Sequence, residues 1–111
     1  MTFEMNLAKV PFGLIKSGQK VIEMRLNTPK RAYIKPGDYI EFTNNDDGSK
    51  LKVLVLNITK FPSFIELYRH FDKALLGYQK NEKADPDDML IYYKKEDIEK
   101  FGVIAIEIKV I

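Results

Sequence analysis

The chain has 111 residues, 31% of them charged, and a net charge of only +2. It contains no cysteine and one histidine, which excludes thiol catalysis, cysteine-ligated zinc, disulfides and a polyhistidine metal centre. A length of this order implies a single domain, 1–111, that buries roughly two-thirds of its unfolded surface without a staple.

The opening segment, MTFEMNLAKVPFGLIKSGQK, lacks a basic-then-apolar leader. No apolar run approaches the roughly 20 residues of a membrane span, so the expected setting is soluble and cytoplasmic, with no membrane partner. Residues 9–18 predict a short helix, with Pro11 in its first turn and Gly18 as its stop. KVIEMRL (20–26) then alternates as a strand, with Ile22, Met24 and Leu26 on one face and Val21, Glu23 and Arg25 on the other. The turn-rich NTPKRAYIKPGD (27–38) leads to a strand over 38–43, and Asp47-Gly48 marks a hairpin turn.

KLKVLVLNIT (50–59) is apolar on both faces from Val53 to Leu56 and predicts a strand in a covered sheet. PSFIELYRHF predicts a helix with the stripe Phe64, Leu67, Tyr68 and Phe71, opened by a Ser63–Glu66 capping box. The polar segment 79–88 precedes a short helix capped by Asp85-Pro86, and a last helix ends at Gly102. VIAIEIKVI closes the chain as a strand with Ile104, Ile106, Ile108 and Val110 on one buried face. The expected order is one helix, three strands joined to their sequence neighbours by hairpin-type links, two or three short helices and a last strand that closes the sheet. This is an α+β fold, a small and mostly antiparallel barrel with helices packed around it.

Lys20, Glu23 and Arg25 interrupt an otherwise apolar strand, and they read either as an ion pair on a sheet face or as a site. Glu23 and Arg25 share one side of the strand, whereas Lys20 joins them only by preceding the regular strand. An exposed pair adds only about 0–1 kcal/mol to stability, which weakens the structural reading. Glu66 is accounted for by capping and His70 by a helix end. Among Lys30, Arg31, Lys35, Lys50, Lys52 and Lys60, Arg31 is the best phosphate contact because it closely follows the motif strand. Tyr92 and Tyr93 beside Lys94 and Lys95 suit base stacking, against the alternative of one core tyrosine and one amphipathic neighbour. No calcium-loop spacing appears, and neither a metal nor a cofactor is expected.

The segment GLIKSGQKVIEMRLN, followed by KPGDYIEF and closed by FGVIAIEI, resembles the ASCH domain of the PUA-like β-barrels, in its single-domain bacterial or archaeal type. The family's Gly-x-Lys-x-x-Glu-x-Arg pattern falls on Gly18, Lys20, Glu23 and Arg25. The resemblance implies a barrel with a cleft beside the first helix and strand, and a role in binding RNA or a nucleotide. Some relatives are amidohydrolases of N-acetylated cytidine, and others are associated with RNA cleavage. In the amidohydrolase branch the matching segment has lysine, threonine and arginine, the threonine being the proposed nucleophile. Lys20 and Arg25 keep their counterparts, but Glu23 stands at the threonine, and Asp72 is only the nearest match to the branch's downstream carboxylate.

Three functions follow. The first is a binding module for RNA or a nucleotide, using Gly18, Lys20, Glu23, Arg25, Arg31 and Tyr93. The second is a hydrolase of a modified nucleoside or RNA, acting through Lys20 and Glu23. The third is a protein-interaction domain.

Overall fold

The computed structural model describes residues 1–111. Five strands form one curled sheet: β1 (Thr2–Leu7), β2 (Ile22–Leu26), β3 (Tyr39–Asn44), β4 (Lys50–Phe61) and β5 (Val103–Val110). Three helices accompany it: α1 (Lys9–Lys16), α2 (Phe64–His70) and α3 (Lys95–Phe101). The strand order is β1-β3-β4-β5-β2. Pairing is antiparallel throughout except for the parallel β1/β3 pair.

Two features differ from the sequence expectation. TFEMNL is a strand, so the chain begins on the sheet rather than on a helix. β2 does not pair with β3, its neighbour in sequence; it lies antiparallel against β5 at the far edge, with Glu23 opposite Ile106 and Arg25 opposite Ile104. The five-strand sheet is a half-barrel whose two edges, β1 and β2, approach one another.

Apolar side chains separate onto the two faces of the sheet. Inside the curl, Ile40, Phe42, Val53, Val55, Ile104, Ile106 and Ile108 pack with Phe12 and Ile15 of α1. Outside it, Ile22, Met24, Leu26, Val103 and Ala105 pack under Phe64, Leu67, Leu76, Met89 and Ile98 from the helices and turns. Full burial of one such aliphatic side chain contributes about 1.5–3 kcal/mol. β5 is therefore covered on both sides, which explains its continuous apolar run. β4 is not: a bulge between Val55 and Asn57 breaks the register and leaves Leu56 exposed, although the sequence reads as apolar on both faces there.

β2 has an unusual polarity for its position. Its apolar face points outward, where helices cover it, and its charged residues lie on the inner side with Ile104 and Ile106. The curl is thus apolar along β3, β4 and β5 and charged along β2.

Candidate functional site

Lys20 precedes β2 and is held by its main chain, its N–H donating to Leu14 O at 3.0 Å. The turn that delivers it passes through Gly18 at φ +84°, a left-handed conformation that favours glycine. Gly18 itself lies away from the cleft, on a separate depression beside Lys109 and Val110. Gly77, at φ +102°, packs against the Lys20 stem, and a Cβ there would stand 3.1 Å from Lys20 Cδ. The Lys20 side chain is thereby directed toward Glu23.

Glu23 is buried, and both its oxygens are occupied. Oε1 accepts from the Met24 N–H at 3.1 Å and faces Lys20 Nζ at 3.2 Å. Oε2 accepts from Arg25 Nε at 2.9 Å and Nη2 at 2.7 Å. Arg25 Nη2 also donates to Asn6 O at 2.9 Å, joining β2 to β1 across the open seam of the half-barrel. Burial alone pushes the Glu23 carboxyl up, but the charges of Lys20 and Arg25 outweigh it and leave it below the usual range. Burial likewise lowers the Arg25 guanidinium, and Glu23 reverses that, leaving it above its ordinary value.

A carboxylate offers about four lone-pair positions. Four donors already converge on Glu23, and its lowered pKa makes it a weak base. What remains open belongs to the cations. Lys20 has N–H groups beyond the one facing Glu23, and Arg25 Nη1 has no hydrogen-bond partner in the protein. The triad carries a net charge of +1 and presents donors.

These donors lie in a cleft of about 200 Å³ at the β1/β2 seam. Lys20, Glu23, Met24 and Arg25 contribute from one side, Asn6 to Ala8 and Pro11 from another, with Asn45 and the apolar Met89 completing the lining beside Tyr92 and Tyr93. Tyr93 is half-buried, with its ring 6.0 Å from Phe64 in a stacked orientation, and burial pushes its hydroxyl pKa up. Tyr92 is 60% exposed. The pair divides as one tyrosine on the core and one amphipathic neighbour: Tyr93 packs on the outer core while it lines the cleft, and Tyr92 forms an exposed aromatic rim. Sequence reasoning ranked Tyr93 above Tyr92, and its only clue to Tyr92 was adjacency to lysines.

Arg31 does not reach the cleft. It lines an open groove on the other side of Arg25, with Lys30, Glu4 and Glu41. Asp72 lines none of these cavities and serves as the N-cap residue of a 3₁₀ turn over Lys73–Leu76. Ser63 and Glu66 bond to one another through their side chains, without the expected side-chain cap on the α2 backbone. Segment 79–88 borders another cavity that adjoins the cleft. Asp85 caps the 3₁₀ turn Pro86–Ile91 through Asp87 N–H, as its sequence indicates.

A curled sheet with helices on its outer face and a cationic cleft at its seam defines a small α+β protein of the PUA-like barrel class. The ASCH domain model matches residues 5–111, and the chain belongs to the ASCH family. The crystal structure of the hypothetical protein PH0355 is similar at a TM-score of 0.84 and 36% identity, over 100% of both chains. The solution structure of PF0455 from Pyrococcus furiosus is similar at 0.77 and 35% identity, over 100% of this chain and 98% of that one. ZmASCH from Zymomonas mobilis, as its S128A mutant, shares the fold at 0.69 with 13% identity, over 97% of this chain and 67% of its own. Among proteins of curated function, none matches the chain. No helix is long and apolar enough to cross a membrane.

Proposed function

We propose that this protein is an RNA- or nucleotide-binding module whose cleft takes one unstacked base. The observation that carries the reading is the triad, in which a saturated Glu23 fixes two cations whose remaining N–H groups line a cleft. A base carbonyl or ring nitrogen is an acceptor of the kind those donors suit. At about 200 Å³ the cleft is smaller than the roughly 300–1,000 Å³ of typical small-molecule sites, which favours part of a ligand such as a single base.

In this reading Glu23 is a positioning residue and reads no base edge itself, while Lys20 and Arg25 make the contacts. Tyr93 forms a wall against the ring. Lys30 and Arg31, in the groove beyond Arg25, face the phosphate on one side of the base. Membership of the ASCH family supports the same reading.

An amide-resolved NMR titration with short single-stranded RNA at two salt concentrations tests it. The expected shifts centre on Lys20 to Leu26, Asn6, Tyr92 and Tyr93, and weaken at the higher salt. Shifts restricted to scattered surface lysines, or none at all, contradict the reading.

A further inference from the structure

The cleft does not end at Lys20. A second cavity of about 660 Å³ adjoins it and shares Pro11, Lys20, Met24, Met89 and Tyr92 with it. Its character is different. Val10 is 69% exposed, Ile91 79% and Tyr92 60%, so α1 and the end of the Pro86–Ile91 turn hold three large apolar side chains in solvent. They flank one end of a polar cleft, and the outer core does not cover them. All three line this one cavity, and exposed apolar side chains gathered around a groove suit an apolar face of a ligand.

Charge indicates how a ligand would lie across the two cavities. Lys20 stands at their junction with N–H groups to spare. Asp88 and Glu82 border the second cavity, and each is already engaged: Asp88 Oδ2 accepts from Tyr78 OH at 2.7 Å, and Glu82 Oε1 from Gln79 N–H at 2.7 Å. Tyr78 OH in turn contacts Tyr68 OH at 2.8 Å, which ties α2 to this wall. An anionic group is therefore favoured at the Lys20 junction and disfavoured beside Asp88 and Glu82. A flat, uncharged group suits the shelf of Val10, Ile91 and Tyr92. A phosphodiester joining two bases has this distribution, with charge in the middle and neutral π-faces at either side.

We infer that the shelf is a second subsite, which takes the nucleotide adjoining the one in the cleft, so that the ligand is a strand of at least two nucleotides rather than a free mononucleotide. The inference rests on the cleft reading and adds to it a stacking platform at Tyr92 and a linking phosphate at Lys20. Aromatic stacking on such platforms tolerates any base, so the shelf adds affinity and little sequence preference.

The test compares, by calorimetry and amide-resolved NMR, ribonucleoside 5′-monophosphates with dinucleoside monophosphates. Each carries one phosphate, and the dinucleoside bears less charge, so a gain in its affinity does not arise from added charge. The expected result is binding tighter by about tenfold or more for the dinucleoside, with new shifts at Val10 and Ile91. The double substitution Val10→Ser, Ile91→Ser affects exposed side chains, and it is expected to reduce that advantage to about twofold or less. Equal affinities for the two ligands, or an advantage that survives the double substitution, overturn the shelf while leaving the cleft reading intact. If neither ligand shifts the amides around Lys20 and Arg25, the cleft reading fails and the shelf with it.

Discussion

The molecule buries two carboxylates at strand starts, Glu23 in β2 and Asp38 just before β3, and it treats them differently. Asp38 closes a loop: one oxygen accepts from the Lys35 N–H at 3.1 Å, and the other faces the Met1 amino group at 3.2 Å. Burial opposes its ionisation, the Lys35 N–H and the Met1 amine more than offset that, and its pKa is lowered. Glu23 is also lowered, but by two side-chain cations. The partners make the difference. Met1 is an exposed residue, its side chain 75% exposed, and its amine returns to water if released, whereas the Lys20 and Arg25 side chains are 10% and 13% exposed and depend on Glu23 for their charge balance. A carboxylate satisfied by backbone and an exposed amine stabilises a turn. One that fixes two largely buried cations at a cleft organises a set of donors.

The largest effect expected from this comparison is that of Glu23→Gln. It leaves two cations in a poorly hydrated place, and breaking a buried pair in this way costs about 3–5 kcal/mol, readable by urea denaturation. Asp38→Asn should cost less, because its charged partner is already solvated; an equal or larger loss for Asp38→Asn would erase the distinction. Next comes Gly77→Ala. The left-handed backbone and the approach to Lys20 Cδ together predict a loss of about 1–2 kcal/mol, with weaker RNA binding as Lys20 is displaced. If stability falls while binding is untouched, Lys20 is not in contact with ligand.

A pH effect should be smaller and gradual. The folded pKa of Glu23 lies below the unfolded value of about 4.3, so its contribution is fully present above that value. It is lost as the pH falls through the lower folded pKa. In Glu23→Gln this part of the acid dependence should disappear, and unfolding midpoints across pH 2–6 would measure it. The smallest expected change is that of acetylating the Met1 amine, which removes only the exposed partner of Asp38. A slight fall in Tm that vanishes in high salt is the expected result.

Much of the architecture is legible in the sequence because it is local. The Pro11 and Gly18 signals that bound α1, the apolar stripe of α2, the turns at Asp47-Gly48 and Asp85-Pro86, and the alternation of β5 all depend on neighbours in the chain. β1 was harder to see, since Phe3 and Met5 are only half-buried and the strand is fixed by a parallel pairing with β3 from more than 30 residues away. β2 was read as a strand but assigned to the wrong neighbour, because pairing with β5 leaves no mark near residues 22–26. The triad was visible as charge within an apolar run. The number of donors reaching Glu23 was not, because it depends on the rotamers of Lys20 and Arg25. The bridge from Arg25 to Asn6 O was hidden for a similar reason, as it requires the curl of the sheet.

The most direct test follows side-chain signals of the triad while a dinucleoside monophosphate is added. Selective labelling reports the Arg25 guanidinium and Lys20 ammonium nitrogens together with the Glu23 carboxyl carbon. The account predicts that Arg25 and Lys20 shift on binding while the Glu23 carboxyl, already filled by four donors, stays within its free-state position. A large shift of the Glu23 carboxyl with Lys20 and Arg25 unmoved would contradict it, and would make the carboxylate the contact rather than the support.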